Sequence, residues 1–166
     1  MNRKLKELRK IEREFKRKIP ERVRIDKMGK MFGGIVSVLA RNLIKDVGYS
    51  VATKIIKREF RSLGRNDAKY FIELFKLKRG SIKDASKALK IAALFLGLKL
   101  DVVGNETIVK DCPLGNEAIK FDEPILCNAC LEYNNGILEE MLGEGKKLKR
   151  TKWIFEGDGY CMFTKK

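Results

Sequence analysis

The hydrophobic pattern of this chain changes period once, after Leu98, and that change restricts the folds open to it. Upstream, apolar residues recur at three- and four-residue spacing, which gathers them on one face of a helix. Downstream, LKLDVV and ETIVKD are short runs rich in β-branched residues, joined by Gly104-Asn105, a strong hairpin signal. KLKRTKWIF and YCMFT form a second such pair, with Gly157-Asp158-Gly159 as the turn. Between the pairs, PILCNACLEYNNGILEEMLG reads as a helix started by Pro124. The prediction is an α+β fold: N-terminal helices packed on a four-stranded or slightly larger antiparallel sheet, with a cysteine-bearing helix inserted between two C-terminal hairpins.

The upstream helices differ in character. MNRKLKELRKIEREFKRK sets Leu5, Leu8, Ile11 and Phe15 in a narrow apolar stripe on a very basic helix, which Pro20 ends. Residues 1–24 are therefore expected to be an extension, and 25–166 a single domain. The extension can dock on its own domain, on a twin subunit or on a membrane surface. It has no Trp anchor, so peripheral membrane contact ranks last. From Asp26 the pattern stays helical through Leu63, with a break near Gly48. A further helix is predicted over Asn66 to Leu77 with Phe71, Leu74 and Phe75 inward. Ser81 caps the next, with Asp84 at the third position of a box-like start. Ile82, Ala85, Leu89, Ala92 and Phe95 line its face, and its IAALFLGL end is predicted to be buried.

The chain has 166 residues and a formal net charge of +15, unevenly spread. Residues 110–145 hold 2 basic and 8 acidic side chains, so the cysteine-bearing segment is the one acidic stretch of a basic protein. A basic field attracts nucleic acid, anionic lipid or acidic protein, but no nucleic-acid motif accompanies this one. The expectation is a solvated surface of the Lys/Glu-rich kind found in thermophiles. No apolar leader follows the basic N-terminus, and no run is long enough to span a bilayer, so a cytoplasmic location is expected. In that compartment paired cysteines point to metal or redox chemistry before structural disulfides.

The cysteines are Cys112, Cys127, Cys130 and Cys161. Cys127 and Cys130 form a C-x-x-C on one side of the inserted helix, within reach of the apolar stripe of Leu126, Tyr133, Ile137 and Met141. Cys112 follows the second strand and Cys161 lies in the last. In a meander-like sheet covered by this helix, all four thiols converge. Four soft thiolates suit tetrahedral zinc, and also an iron–sulfur cluster. The alternatives are buried thiols acting as small hydrophobes, or a redox pair whose pKa the helix dipole lowers. Histidine is absent, which removes the imidazole base and His ligands. Asp111, Asp122, Glu123 and Asp158 make no convincing catalytic pair, since capping and turn roles explain Asp122 or Glu123 and Asp158, and no nicotinamide, flavin, P-loop or nucleophile-elbow motif occurs.

With ETIVKDCP, CNACLEYNNGILEEMLG and GDGYCMF in view, residues 98–164 resemble the 4-vinyl reductase domain family. Cys112-Pro113, Cys127, Cys130 and the run from Gly159 to Phe163 carry the resemblance. Its archaeal members are often described as hydrocarbon-binding proteins. The resemblance implies a fold shared with the ligand-binding domain of nitric-oxide signalling proteins and with TRAPP-type transport subunits. It also implies frequent dimerisation, with an apolar ligand between the layers. The expected function is a non-enzymatic, homodimeric domain that binds a hydrophobic small molecule and carries a four-cysteine zinc site. A redox- or ligand-responsive sensor is the alternative, and a reductase of vinyl groups comes third.

Overall fold

The computed structural model describes residues 3–103 and 106–165. Four helices come first: α1 (Arg3–Lys18), α2 (Glu21–Val47), α3 (Tyr49–Phe75) and α4 (Ile82–Phe95). Then come β1 (Lys99–Val103), β2 (Glu106–Asp111), α5 (Pro113–Lys120), α6 (Ile125–Leu142), β3 (Leu148–Lys152) and β4 (Cys161–Lys165), with a single 3₁₀ turn at Ile154–Glu156. This is the expected α+β fold with a four-stranded antiparallel sheet. The Gly104-Asn105 turn lies outside the described residues, as do the side chains of Leu5 and Leu8.

The strand order is β1-β2-β4-β3, not that of a meander. The helical segment between the hairpins lets the second hairpin return with β4 beside β2. Val109 therefore pairs with Cys161, and Thr107 with Phe163. Phe163 pairs in turn with Arg150 on β3.

Three other expectations are corrected. No helix boundary separates Leu63 from Asn66; α3 runs unbroken to Phe75, because Gly64 serves helix packing. The segment after Cys112 is helical: Pro113 pre-sets the first turn of α5, and the Cys112 sulfur accepts the Gly115 N–H. The apolar end of α4 is not fully buried. Ala85, Ala88, Leu89, Ala92 and Ala93 face inward, whereas Ile82 is exposed and Phe95 is 66% exposed. Leu74 and Phe75 are likewise exposed. A sheet of five- and six-residue strands is too small to cover every side of these helices. Elsewhere the local chemistry is as expected. Gly48, at φ +80°, separates α2 from α3, and the Ser81 hydroxyl accepts the Asp84 N–H.

The largest packing contact is α3 against α6. Gly64 lies against the backbone of Tyr133, and Gly136 against that of Arg61, so the two helices touch main chain to main chain. Arg61 bridges Glu132 and Glu139 across this crossing, and the Tyr133 hydroxyl donates to Asp67 at 2.8 Å. On its other side α6 covers the sheet. Buried Asn135 accepts the Leu148 N–H at 2.8 Å and so ties α6 to the start of β3. No helix among the described residues is long and apolar enough to cross a membrane.

Candidate functional site

A cavity of about 60 Å³ lies between the sheet and helices α4, α5 and α6. Side chains alternate along strands, so every second residue faces it: Leu100 on β1, Thr107 and Val109 on β2, Leu148 and Arg150 on β3, Cys161 and Phe163 on β4. Leu89 and Ala93 close it from α4, Leu114 and Gly115 from α5, and Cys127, Cys130 and Asn134 from α6. The wall is mostly apolar. Its polar groups are Thr107, Asn134, Arg150 and the thiols.

All four sequence-predicted cysteines line this one cavity. Cys112 ends up there as the cap of α5, Cys127 and Cys130 on the inner face of α6, and Cys161 at the start of β4 beside Val109. They lie toward the end where α5, α6 and β4 begin. Thr107 and Phe163 pair one cavity-facing row further along the sheet.

None of the four is in a disulfide. Burial pushes the Cys112 thiol up to about 12 and raises the other three, Cys130 well above its ordinary value. The expected lowering by the helix dipole is absent, because desolvation outweighs a partial charge at the helix end.

Each sulfur nevertheless has a donor near it. The Gly115 N–H reaches Cys112 Sγ at 3.1 Å, and the Ile154 N–H reaches Cys161 Sγ at 3.4 Å. Asn134 Nδ2 lies 3.6 Å from Cys130 Sγ. The buried indole N–H of Trp153 makes no hydrogen bond of normal geometry, yet it lies close enough to Cys127 to offset part of the rise there. These donors lower the thiol pKa values of Cys112, Cys127 and Cys161 in part, but burial outweighs them and the thiols stay neutral. Among the described residues no three candidate ligands stand close enough to form a closed metal shell. Four thiols are the donor type that a soft cation such as zinc takes, but they stand apart on the walls of the cavity.

The acidic residues behave as capping groups. The Glu123 carboxylate accepts the Ile125 N–H at 3.2 Å, and Asp158 accepts the Trp153 N–H at 2.7 Å.

Sequence reasoning missed Arg150. Its side chain is half-buried and stacks on Trp153, with the guanidinium carbon 3.6 Å from the ring centroid. It donates to Asn128 Oδ1 at 3.0 Å and to the Cys127 carbonyl at 3.4 Å. Burial holds its pKa below the ordinary arginine value. The available signal was period-two alternation in LKRTK, which places Arg150 on the same face as Leu148.

No protein-family model and no curated protein matches the sequence. The finer resemblance to 4-vinyl reductase domains thus rests on its motif residues alone. Among solved structures, the chain is similar to the phenol-responsive sensory domain of the transcription activator PoxR, determined with phenol. The TM-score is 0.60 and the identity 14%, over 80% of this chain and 73% of that one. At that identity the likeness is one of fold.

Proposed function

We propose that this domain binds a small, largely apolar molecule in the cavity between α4, α6 and the sheet, as a sensing or carrier module. The observation that carries this reading is the cavity itself, apolar and layered between sheet and helices, with few polar groups on its wall. Its size narrows the ligand. At about 60 Å³ the cavity has room for about two waters at ~30 Å³ each; it is smaller than the ~150 Å³ void that admits benzene, so a single ring enters only by displacing wall side chains, and a long acyl chain does not fit. The fold likeness to a domain solved with phenol agrees with a single-ring ligand.

The test is a titration of phenol, toluene and decanoate, followed by the fluorescence of Trp153, the one tryptophan, and by calorimetry. Saturable binding of the ring compounds and none of decanoate is expected. Ala93→Phe, which fills the cavity from α4, should abolish binding with the melting temperature held within a few degrees. If no ring compound binds at millimolar concentration, this reading is wrong.

At the end of the cavity where α5, α6 and β4 begin, we propose that Cys112, Cys127, Cys130 and Cys161 hold a structural zinc ion. The support is that all four thiols line one cavity, each with an N–H donor near it; among the described residues no three of them form a ready-made shell, so the ion would have to draw them together. Such an ion would supply the positive charge that four buried thiolates need and would fasten α6 to the sheet.

A second copy of the chain is the proposed partner. Met28, Met31, Phe32, Ile35 and Leu39 share the outward face of α2, and Met28 is 64% exposed. Ile11 and Phe15 on α1 are exposed as well. A standard interface buries ~800 Å² per partner, and these exposed apolar side chains are the material for one. The stretch from Met31 to Ala40 carries no charge for a different partner to recognise, and a two-fold axis lets such a face meet itself. Sedimentation equilibrium should show a dimer, and a monomer after combined Ile35→Lys and Leu39→Lys with unchanged circular dichroism. A monomeric unmodified chain at tens of micromolar would sink the idea.

A further inference from the structure

Apart from the four thiols, Arg150 is the one ionisable side chain on the cavity wall among the described residues. Arg150 lines the cavity, and it also lines a second, outer recess with Thr151, Lys152, Trp153 and Glu156. It therefore stands between the interior and the surface, where a ligand would enter. A buried guanidinium is ordinarily matched by a carboxylate, because a charge removed from water must find its opposite. Half-buried Arg150 makes no direct ion pair among the described residues: its two hydrogen-bond acceptors are a neutral amide and a backbone carbonyl, and Glu156, at the outer recess, acts on it only at longer range. Of its five N–H donors, some remain free for a planar anion. Trp153 fixes the plane of the guanidinium from one side. Lys152, whose ammonium sits 4.9 Å from the Tyr160 ring centroid, and Glu156 bring opposite charges to the outer recess, which leaves the Arg150 charge in excess there.

From this juxtaposition we infer that the ligand is a single-ring organic anion, its ring in the apolar cavity and its carboxylate on Arg150. This rests on the cavity reading above and gives that ligand a charge. A ring carboxylate meets both needs at once, since the ring fills the space and the carboxylate takes the fork in a bidentate pair. The donors near the four sulfurs do not compete for it, because they come from Gly115, Ile154, Asn134 and Trp153 rather than from Arg150.

The experiment compares benzoate with benzyl alcohol, a neutral molecule of similar shape, on the full chain at pH 7. Binding is read by Trp153 fluorescence and calorimetry in 0.1 M and 0.5 M salt. Benzoate should bind about tenfold or more tightly. The preference should persist in high salt, which screens the general attraction of a +15 surface but not a buried pair. Arg150→Met should remove the preference while leaving benzyl alcohol affinity unchanged, which also shows that the variant folds. Arg150→Lys should restore part of it.

Equal affinity for the two compounds in the unmodified chain overturns the anionic ligand and leaves the cavity reading standing. Binding of neither overturns both. If Arg150→Met loses bound metal while the benzoate preference survives, Arg150 serves the thiolates instead and the inference is wrong.

Discussion

Gly136→Ala and Gly64→Ala are each expected to lower stability by about 3 kcal/mol or more, which for a domain of this size moves the melting temperature by ~6–12 °C or more. A Cβ on Gly136 would sit 2.1 Å from the Arg61 carbonyl oxygen and 3.0 Å from the Arg65 nitrogen. One on Gly64 would sit 1.9 Å from the Tyr133 carbonyl oxygen. These obstacles are backbone, so no side-chain rotation relieves them, and α3 and α6 must separate. Separation also strains the Arg61 bridges to Glu132 and Glu139 and the Tyr133–Asp67 hydrogen bond. The cost then reaches the cavity, because α6 carries Cys127, Cys130 and Asn134 and holds β3 through Asn135. Gly34→Ala is the contrast. A Cβ there meets nothing within 4 Å, so helix propensity alone should leave it neutral or stabilising by up to ~1 kcal/mol. Thermal and urea unfolding followed by circular dichroism read all three. A Gly136→Ala chain that melts within about 2 °C of the original would mean the crossing is looser than described.

Metal removal is the second large effect. Protein purified without chelators is expected to carry one zinc per chain, and Cys130→Ser or Cys112→Ser to lose it. Structural zinc contributes its binding free energy to folding, so the loss should lower the melting temperature by ~10 °C or more, or abolish cooperative unfolding. The pH dependence has a definite sign. Burial raises all four thiols, Cys112 to about 12, so at neutral pH the metal-free chain holds its thiol protons and the cation must displace them. Apparent zinc affinity should therefore fall as pH falls, by about tenfold per pH unit for each proton displaced. Elemental analysis, a free-thiol count and melting with and without chelator between pH 6 and 8 check this. A metal-free protein with unchanged melting, whose thiols react only on unfolding, would make the cysteines ordinary core residues. Thiols that pair readily on mild oxidation would favour the redox sensor instead.

The local rules written in this chain are strong, and several were readable directly. Ser81 with Asp84, Pro20, Pro124, the break at Gly48 and the turn at Gly157-Asp158-Gly159 are capping and dihedral signals that act within a few residues. The switch from helical to alternating period after Leu98 specified helices, then two hairpins around a helix. The spacing of Cys127 and Cys130 placed both on the sheet side of α6, where they are found.

What failed did so for physical reasons of longer range. The boundary expected between Leu63 and Asn66 is absent because Gly64, costly by helix propensity, is required there by close contact with α6. Leu74, Phe75, Ile82 and Phe95 have the apolarity of core residues, but the small sheet leaves them uncovered. Helix α5 was hidden because the helical period of PLGNEAIK is too short to stand out from a loop. The sequence by itself determined the element types, the hairpins and the four thiols on their elements, because those depend on periodicity and on short-range hydrogen bonds. Only the tertiary structure decided that β4 lies beside β2, that the thiols share one cavity, that burial raises rather than lowers their pKa, and that Arg150 faces the cavity with no direct ion pair among the described residues. Those properties belong to desolvation and to contacts between residues far apart in the chain, and no local pattern records them.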